Sequence, residues 1–118
     1  MRRHDYFVYI MTNFTRTVLY VGMTNDLTRR VAQHKRGDIA GFTQRYHVQF
    51  LVHFAHFREV RDAIACEKRV KGWTRAKKMA RIEELNPAWD DLSAGWLVAA
   101  SSVTSAKDAS QAQHDRLG

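Results

Sequence analysis

Tyr6 to Met11 and Val18 to Met23 are two short runs of β-branched, aromatic and other apolar residues, separated by the polar stretch Thr12 to Thr17. They predict a hairpin with strands near residues 6–11 and 18–23 and a loop carrying Asn13. Gly22 falls inside the second run, where a glycine marks a bulge or the close approach of another backbone or a ligand. Thr24, Asn25 and Asp26 offer helix N-caps. Leu27, Val31 and His34 then recur at helical spacing and Gly37 stops a helix over residues 26–36. Gly37 to Arg45 reads as a polar loop. In residues 47–55 the even positions Val48, Phe50, Val52 and Phe54 alternate with His47, Gln49, Leu51 and His53, which predicts a third strand. Val60, Ala63, Ile64 and Val70 form an apolar stripe along a helix over residues 59–71, broken at Gly72. Thr74 caps a last helix over residues 74–85, through Ala76, Met79, Ile82 and Leu85, and Pro87 ends it. The order strand–strand–helix–strand–helix–helix predicts an α+β fold, a small three-stranded antiparallel or mixed sheet flanked by three helices. Residues 97–118 turn Ala/Ser/Gln-rich without a period, so the pattern predicts one domain over residues 1–96 and a flexible tail over 97–118.

Composition narrows the class. At 118 residues and 45% hydrophobic content the chain suits one compact domain. Its longest apolar run, Val18 to Met23, falls far short of the roughly 20 residues a membrane-spanning helix needs. No signal-peptide pattern follows Arg2 and Arg3. A single cysteine, Cys66, excludes an internal disulfide framework and points to a reducing, cytoplasmic setting. The formal net charge of +7 lies wholly within residues 1–96, because Lys107 and Arg116 balance Asp108 and Asp115. Between Lys68 and Arg81 the basic residues Lys68, Arg69, Lys71, Arg75, Lys77, Lys78 and Arg81 follow one another with no acid between them. A solvated helix face usually mixes both signs, so this run reads as a footprint for a polyanion, against the plainer reading of a solubilising surface.

Glu67 is the misfit in the pattern. It projects from the apolar stripe of its helix, four residues from Ala63 and three from Ile64, where a carboxylate is costly unless paired or metal-bound. It is therefore either half of a buried ion pair with an arginine of the first helix, or a metal ligand or acid/base group in a cleft. Arg30 and His34 share one face of the first helix at i, i+4. They suit an anion clamp beside a proton donor, or else lie on a solvated surface. Tyr9 and Tyr20 sit mid-strand in the two arms of the hairpin, where packing is the ordinary role of a tyrosine. The histidines and Cys66 lack zinc-site spacing. No phosphate loop, dinucleotide fingerprint, nucleophile elbow or zinc-protease motif is present, so nucleotide-hydrolysing motors, dehydrogenases, esterases and zinc proteases have no support.

Phe7-Val8-Tyr9, Tyr20-Val21-Gly22, Asp26-Leu27, Arg29-Arg30, His34 and Glu67, taken together, resemble the GIY-YIG nuclease domain. That domain occurs in intron homing endonucleases and at the N-terminus of a component of the bacterial excinuclease, which places DNA repair among the contexts implied. The chain is most similar to the small stand-alone bacterial GIY-YIG proteins. The resemblance covers about residues 5–92 and includes Lys71-Gly72-Trp73 and Leu85-Asn86-Pro87. Phe7 departs from it, standing where the first triplet has glycine; the chemical group of that triplet, the tyrosine, is kept. The resemblance implies that Tyr9 or Tyr20 acts as general base toward water, that Arg30 stabilises charge on the phosphate and that His34 assists. It implies that Glu67 binds a single Mg²⁺ or Mn²⁺, and that Asn86 matches a late asparagine orienting the site. The implied activity is metal-dependent endonuclease hydrolysis of DNA or structured nucleic acid, with Arg29, Lys68, Lys71, Arg75, Lys77, Lys78 and Arg81 on the nucleic-acid surface. The chain has no room for a DNA-reading domain, so targeting would fall to substrate structure or to a partner protein. The alternative is a nucleic-acid-binding or adaptor module that keeps the fold with little or no cleavage.

Overall fold

A computed structural model of the chain describes residues 4–96; the stretch read as a tail, 97–118, lies outside the described residues. The elements follow in the order β1 (Tyr6–Thr12), β2 (Leu19–Thr24), α1 (Leu27–Arg36), α2 (Phe42–Arg45), β3 (Phe50–Phe57), α3 (Val60–Lys71) and α4 (Arg75–Leu85). The sheet is antiparallel throughout, in the order β2-β1-β3, which settles the choice left open between antiparallel and mixed. The expected α+β architecture is present.

Local chemistry accounts for the turns. Asn13 Oδ1 accepts from the backbone N–H of Thr17 at 2.9 Å and of Val18 at 3.1 Å, closing the hairpin loop. Arg16 takes the left-handed conformation in that loop, at φ 61°. Asp26 caps α1 by accepting from Arg29 N–H at 3.1 Å, and Gly37 ends it at φ 74°. Thr74 caps α4 through the N–H of Lys77 at 3.1 Å.

Three expectations need correction. The polar loop from Gly37 to Arg45 contains the short helix α2, whose four residues are too few to show a period. β3 starts at Phe50 rather than 47 and loses its simple alternation. Ile10 faces His53 while Met11 faces Leu51, so an extra residue is inserted opposite the β1 pair. Leu51 and Phe54 consequently pack on one face while Val52 packs on the other. On α3, Val60 and Ile64 are 44% and 39% exposed, whereas Ala63 and Val70 are buried. The buried face is rotated from the expected stripe, toward Ala63, Cys66 and Val70.

Two clusters cover the two faces of the sheet. Phe7, Tyr9 and Met11 pack with Leu27 and Val31 of α1, and with Val48, Leu51, Phe54 and Trp96. Val8, Ile10 and Val52 pack with Ala63 and Val70 of α3, Ile82 of α4 and Trp89. Alternation along β1 thus aims Tyr9 at α1 and its neighbours Val8 and Ile10 at α3 and α4. The end of the described chain is tied back by Asp91. It accepts from Lys35 Nζ at 2.6 Å and from the backbone N–H of Leu51 at 3.1 Å.

Candidate functional site

The Tyr9 ring crosses the edge strand because Gly22 lies opposite it in the β1–β2 register. A Cβ at position 22 would fall 2.5 Å from Tyr9 Oη and 2.6 Å from its Cζ. The glycine therefore serves a close approach, as its place in the strand suggested, and what approaches is a side chain of the same sheet. Tyr20, two residues earlier on β2 and so on the same face, sets its ring 6.2 Å from that of Tyr9.

α1 completes the group. His34 is buried, and its Nε2 lies 3.1 Å from Tyr9 Oη. Its ring meets those of Tyr9 and Tyr20 edge-on, at 5.8 and 5.4 Å. Nδ1 of the same ring is buried and has no hydrogen-bond partner among the described residues. Burial, helped by the nearby charge of Arg30, lowers the His34 pKa to about 4, so the ring is neutral at physiological pH. Burial, foremost, and the neighbouring Tyr20 and Glu67 push the Tyr9 phenol well above the usual range, while the Arg30 guanidinium pulls it down by charge and hydrogen bonding. Tyr9 is thus within electrostatic reach of Tyr20, Arg30 and Glu67 and in contact with His34. Five residues spread from β1 to α3 come to one place.

Glu67 is 22% exposed and pairs with Lys71 Nζ at 3.2 Å, one turn along α3. The arginine partner considered for it is not what the structure shows. Glu67 is partly shielded even though Ile64, three residues before it on the expected apolar stripe, is exposed.

Asn86 is buried, and its side chain is engaged by backbone groups. Its amide donates to the backbone oxygens of Val52 at 3.1 Å and Asp90 at 2.8 Å, and its Oδ1 accepts from the Asp90 N–H at 2.9 Å. Those bonds use the amide to shape the turn after α4 and fasten it to β3.

The basic run divides. Arg75 donates to the backbone oxygens of Arg16 at 2.5 Å and Thr17 at 3.1 Å, bracing the hairpin loop. Lys77 and Arg81 sit over the Trp73 ring at 4.8 and 5.8 Å, and Arg81 also pairs with Glu84 at 3.2 Å. Lys68, Arg29 and Lys71 are exposed, and Lys78 is half-buried. Sequence reading missed the aromatic flank of the site: Phe42 of α2 stacks toward Tyr20 at 6.5 Å, and Tyr46 lies 4.9 Å beyond it. The only sequence signal for it was Phe42 within the loop from Gly37 to Arg45 and Tyr46 directly after it.

A single-domain α+β fold that gathers two strand tyrosines, a helical arginine–histidine pair and a lone glutamate on a following helix agrees with the family comparison. Residues 5–80 match the GIY-YIG catalytic domain, and the chain belongs to that family. More narrowly, it is similar to the UPF0213 proteins. It is 35% identical to one from Bacillus pumilus over 85 residues, covering 72% of this chain and 86% of that one. It is also 35% identical to one from Haloquadratum walsbyi over 81 residues, covering 69% and 91%. The relatives therefore extend beyond bacteria to archaea. The solution NMR structure of the UPF0213 protein of Bacillus halodurans overlays with a TM-score of 0.49 at 26% identity, covering 74% of this chain and 92% of that one. Among the described residues no helix is long and apolar enough to cross a membrane.

Proposed function

We propose that this protein is a divalent-metal-dependent endonuclease that hydrolyses phosphodiester bonds in DNA or structured nucleic acid. The observation that carries the reading is the 3.1 Å contact between Tyr9 Oη and His34 Nε2, made beside Arg30 and Glu67. Water is a poor nucleophile and needs a group to take its proton. Tyr9 is that group in this reading: it accepts a proton from the attacking water and passes its own to His34 Nε2. The relay uses the tautomer with the ring hydrogen on Nδ1, which leaves Nε2 free to accept. A buried histidine next to a cation is a weak base, which suits a resting enzyme. A phosphodiester drawn to Arg30 adds a negative charge there, offsets the repulsion and raises the basicity of His34. Arg30 then neutralises charge growing on the phosphoryl oxygens.

Glu67 fits a metal-binding role. Its carboxylate is partly exposed, stands close enough to Tyr9 to influence it and is paired with one flexible lysine. Among the described residues no three His, Cys, Asp or Glu side chains gather as a metal cage. Mg²⁺ commonly takes only one or two carboxylates and fills its shell with water and phosphate oxygens. Glu67 would hold Mg²⁺ or Mn²⁺, which when bound would supply Lewis-acid stabilisation of charge on the leaving oxygen.

The test is cleavage of duplex, nicked, branched and single-stranded substrates with and without Mg²⁺ or Mn²⁺, alongside Tyr9→Phe and Arg30→Ala. Metal-dependent cutting that both substitutions abolish is the expected result. Tight binding by the unaltered protein with no cutting on any substrate would favour a binding or adaptor module instead.

A further inference from the structure

On the face of the sheet turned away from Tyr9, a pocket of about 240 Å³ opens between β1, β3, α3 and α4. Val8, Ile10 and Ala55 give it an apolar wall, and Trp73 also lines it. Two arginines and no acidic residue line it, Arg69 from α3 and Arg81 from α4, with their charges felt by Cys66 and His53. Arg69 makes no ion pair among the described residues, and the glutamate that pairs with Arg81 is itself 62% exposed in its side chain. His53 also lines the pocket; burial and the charge of Arg81 hold its imidazole neutral, with a pKa lowered to about 4. Apolar walls with two cations and no lining carboxylate constitute a complementary surface for a ligand with a hydrophobic body and one negative end.

We propose that this pocket binds a small aryl carboxylate, with the carboxylate at Arg69 and Arg81 and the ring against Val8, Ile10 and Ala55. Size supports the class. An engineered cavity of about 150 Å³ accommodates benzene, and the larger pocket adds room for an arm bearing the anion. A nucleic-acid backbone alone would satisfy the arginines and leave the apolar wall in water. The site stands apart from the tyrosine cluster and does not depend on the nuclease reading.

Cys66, the one cysteine in the chain, lines the same pocket and hydrogen-bonds Arg69, so the ratio of its alkylation rates with and without ligand, taken within each variant, reports occupancy here. The experiment measures the rate of Cys66 modification by iodoacetamide in the full chain, with phenylacetate or indole-3-acetate added at millimolar concentrations. Either acid is expected to slow modification severalfold, and neutral phenylacetamide to protect about tenfold more weakly, the usual scale for losing a charge-assisted hydrogen bond. Arg69→Gln, at an exposed position, should weaken protection by both acids about tenfold. Ala55→Leu should abolish it by filling the space; if that variant does not fold, Arg69→Gln and the amide decide. Undiminished alkylation in both acids, equal protection by the amide or protection indifferent to Arg69→Gln would overturn the proposal. So would stronger protection by adenosine 5′-monophosphate than by either acid.

Discussion

Tyr9 Oη and His34 Nε2 meet at 3.1 Å across 25 positions of sequence, inside a site where His34 has no second hydrogen-bond partner among the described residues. Tyr9→Phe removes the one hydrogen bond of a buried ring and leaves both its nitrogens unpaired. The expected cost is about 1–3 kcal/mol of stability, the penalty for an orphaned buried polar group. Thermal melts check that cost. Gel-shift binding should persist, because the exposed cations are untouched, while a nicking assay should show cutting lost.

Gly22 and Tyr9 interlock more tightly still. Gly22→Ala places a Cβ against both Oη and Cζ of Tyr9, so the ring must leave its place over β2. Overpacking of this kind typically costs about 1–3 kcal/mol. The ring carbon clashes as well as the oxygen, so adding Tyr9→Phe should not restore the stability of Gly22→Ala. A denaturant-unfolding series on the two single variants and the double variant tests this. Full recovery in the double variant would show that the hydroxyl alone set the constraint.

Two imidazoles, the buried His34 and the half-buried His53, have pKa values lowered to about 4 from the ordinary 6.5. Between those values the unfolded chain binds protons that the folded chain refuses. Stability is therefore full above about pH 6.5 and falls as pH drops toward 4, by up to about 3 kcal/mol for each histidine. Melting temperature followed from pH 7 to pH 4 should show the decline. His34→Gln should flatten the profile by roughly half, whatever it does to stability at pH 7.

Much of the fold is legible in the chain because local signals agree with one another. The caps at Asp26 and Thr74, the stop at Gly37 and the alternation along β1 each depend on neighbours in sequence. Tyr9, Arg30 and Glu67 stand out through spacing and resemblance, but their convergence depends on how α1 and α3 pack around the sheet. The bulge facing Ile10 and Met11 moves Leu51 onto the face of Phe54, and no local period encodes an inserted residue. α2 is invisible in the pattern because four residues make barely one helical turn. The rotation of α3 follows from its apolar residues being too few to fix one stripe. Arg75 and Asn86 carry the side-chain chemistry of a site, yet the structure occupies them with backbone carbonyls far along the chain.

Trp96 tests the limit of the folded domain. Its side chain is buried and meets Phe54 edge-on with ring centres 6.3 Å apart. Truncation after residue 96 should leave the melting temperature nearly unchanged, as the composition of residues 97–118 implies. Trp96→Ala in the full chain should cost about 3–5 kcal/mol, the usual loss for a buried tryptophan. A large drop on truncation alone would place part of the domain's packing beyond residue 96.

Glu67 separates the metal reading from a purely structural one. Lys71, its partner, is 56% exposed, and an ion pair of that kind on a helix surface contributes only about 0.3–0.5 kcal/mol. Glu67→Gln should therefore change metal-free stability little, or raise it slightly by removing a partly desolvated charge. A buried pair broken by the same change would instead cost about 3–5 kcal/mol. Binding of nucleic acid should survive, because the exposed arginines and lysines remain and one negative charge is gone. Cleavage should fall by orders of magnitude, with no rescue by raising Mg²⁺ to ordinary millimolar levels. Melts without metal, gel shifts and nicking assays on the one variant read these outcomes independently. A Glu67→Gln protein that melts normally and still cuts at the native rate would remove Glu67 from the chemistry and send the search for the metal ligand elsewhere.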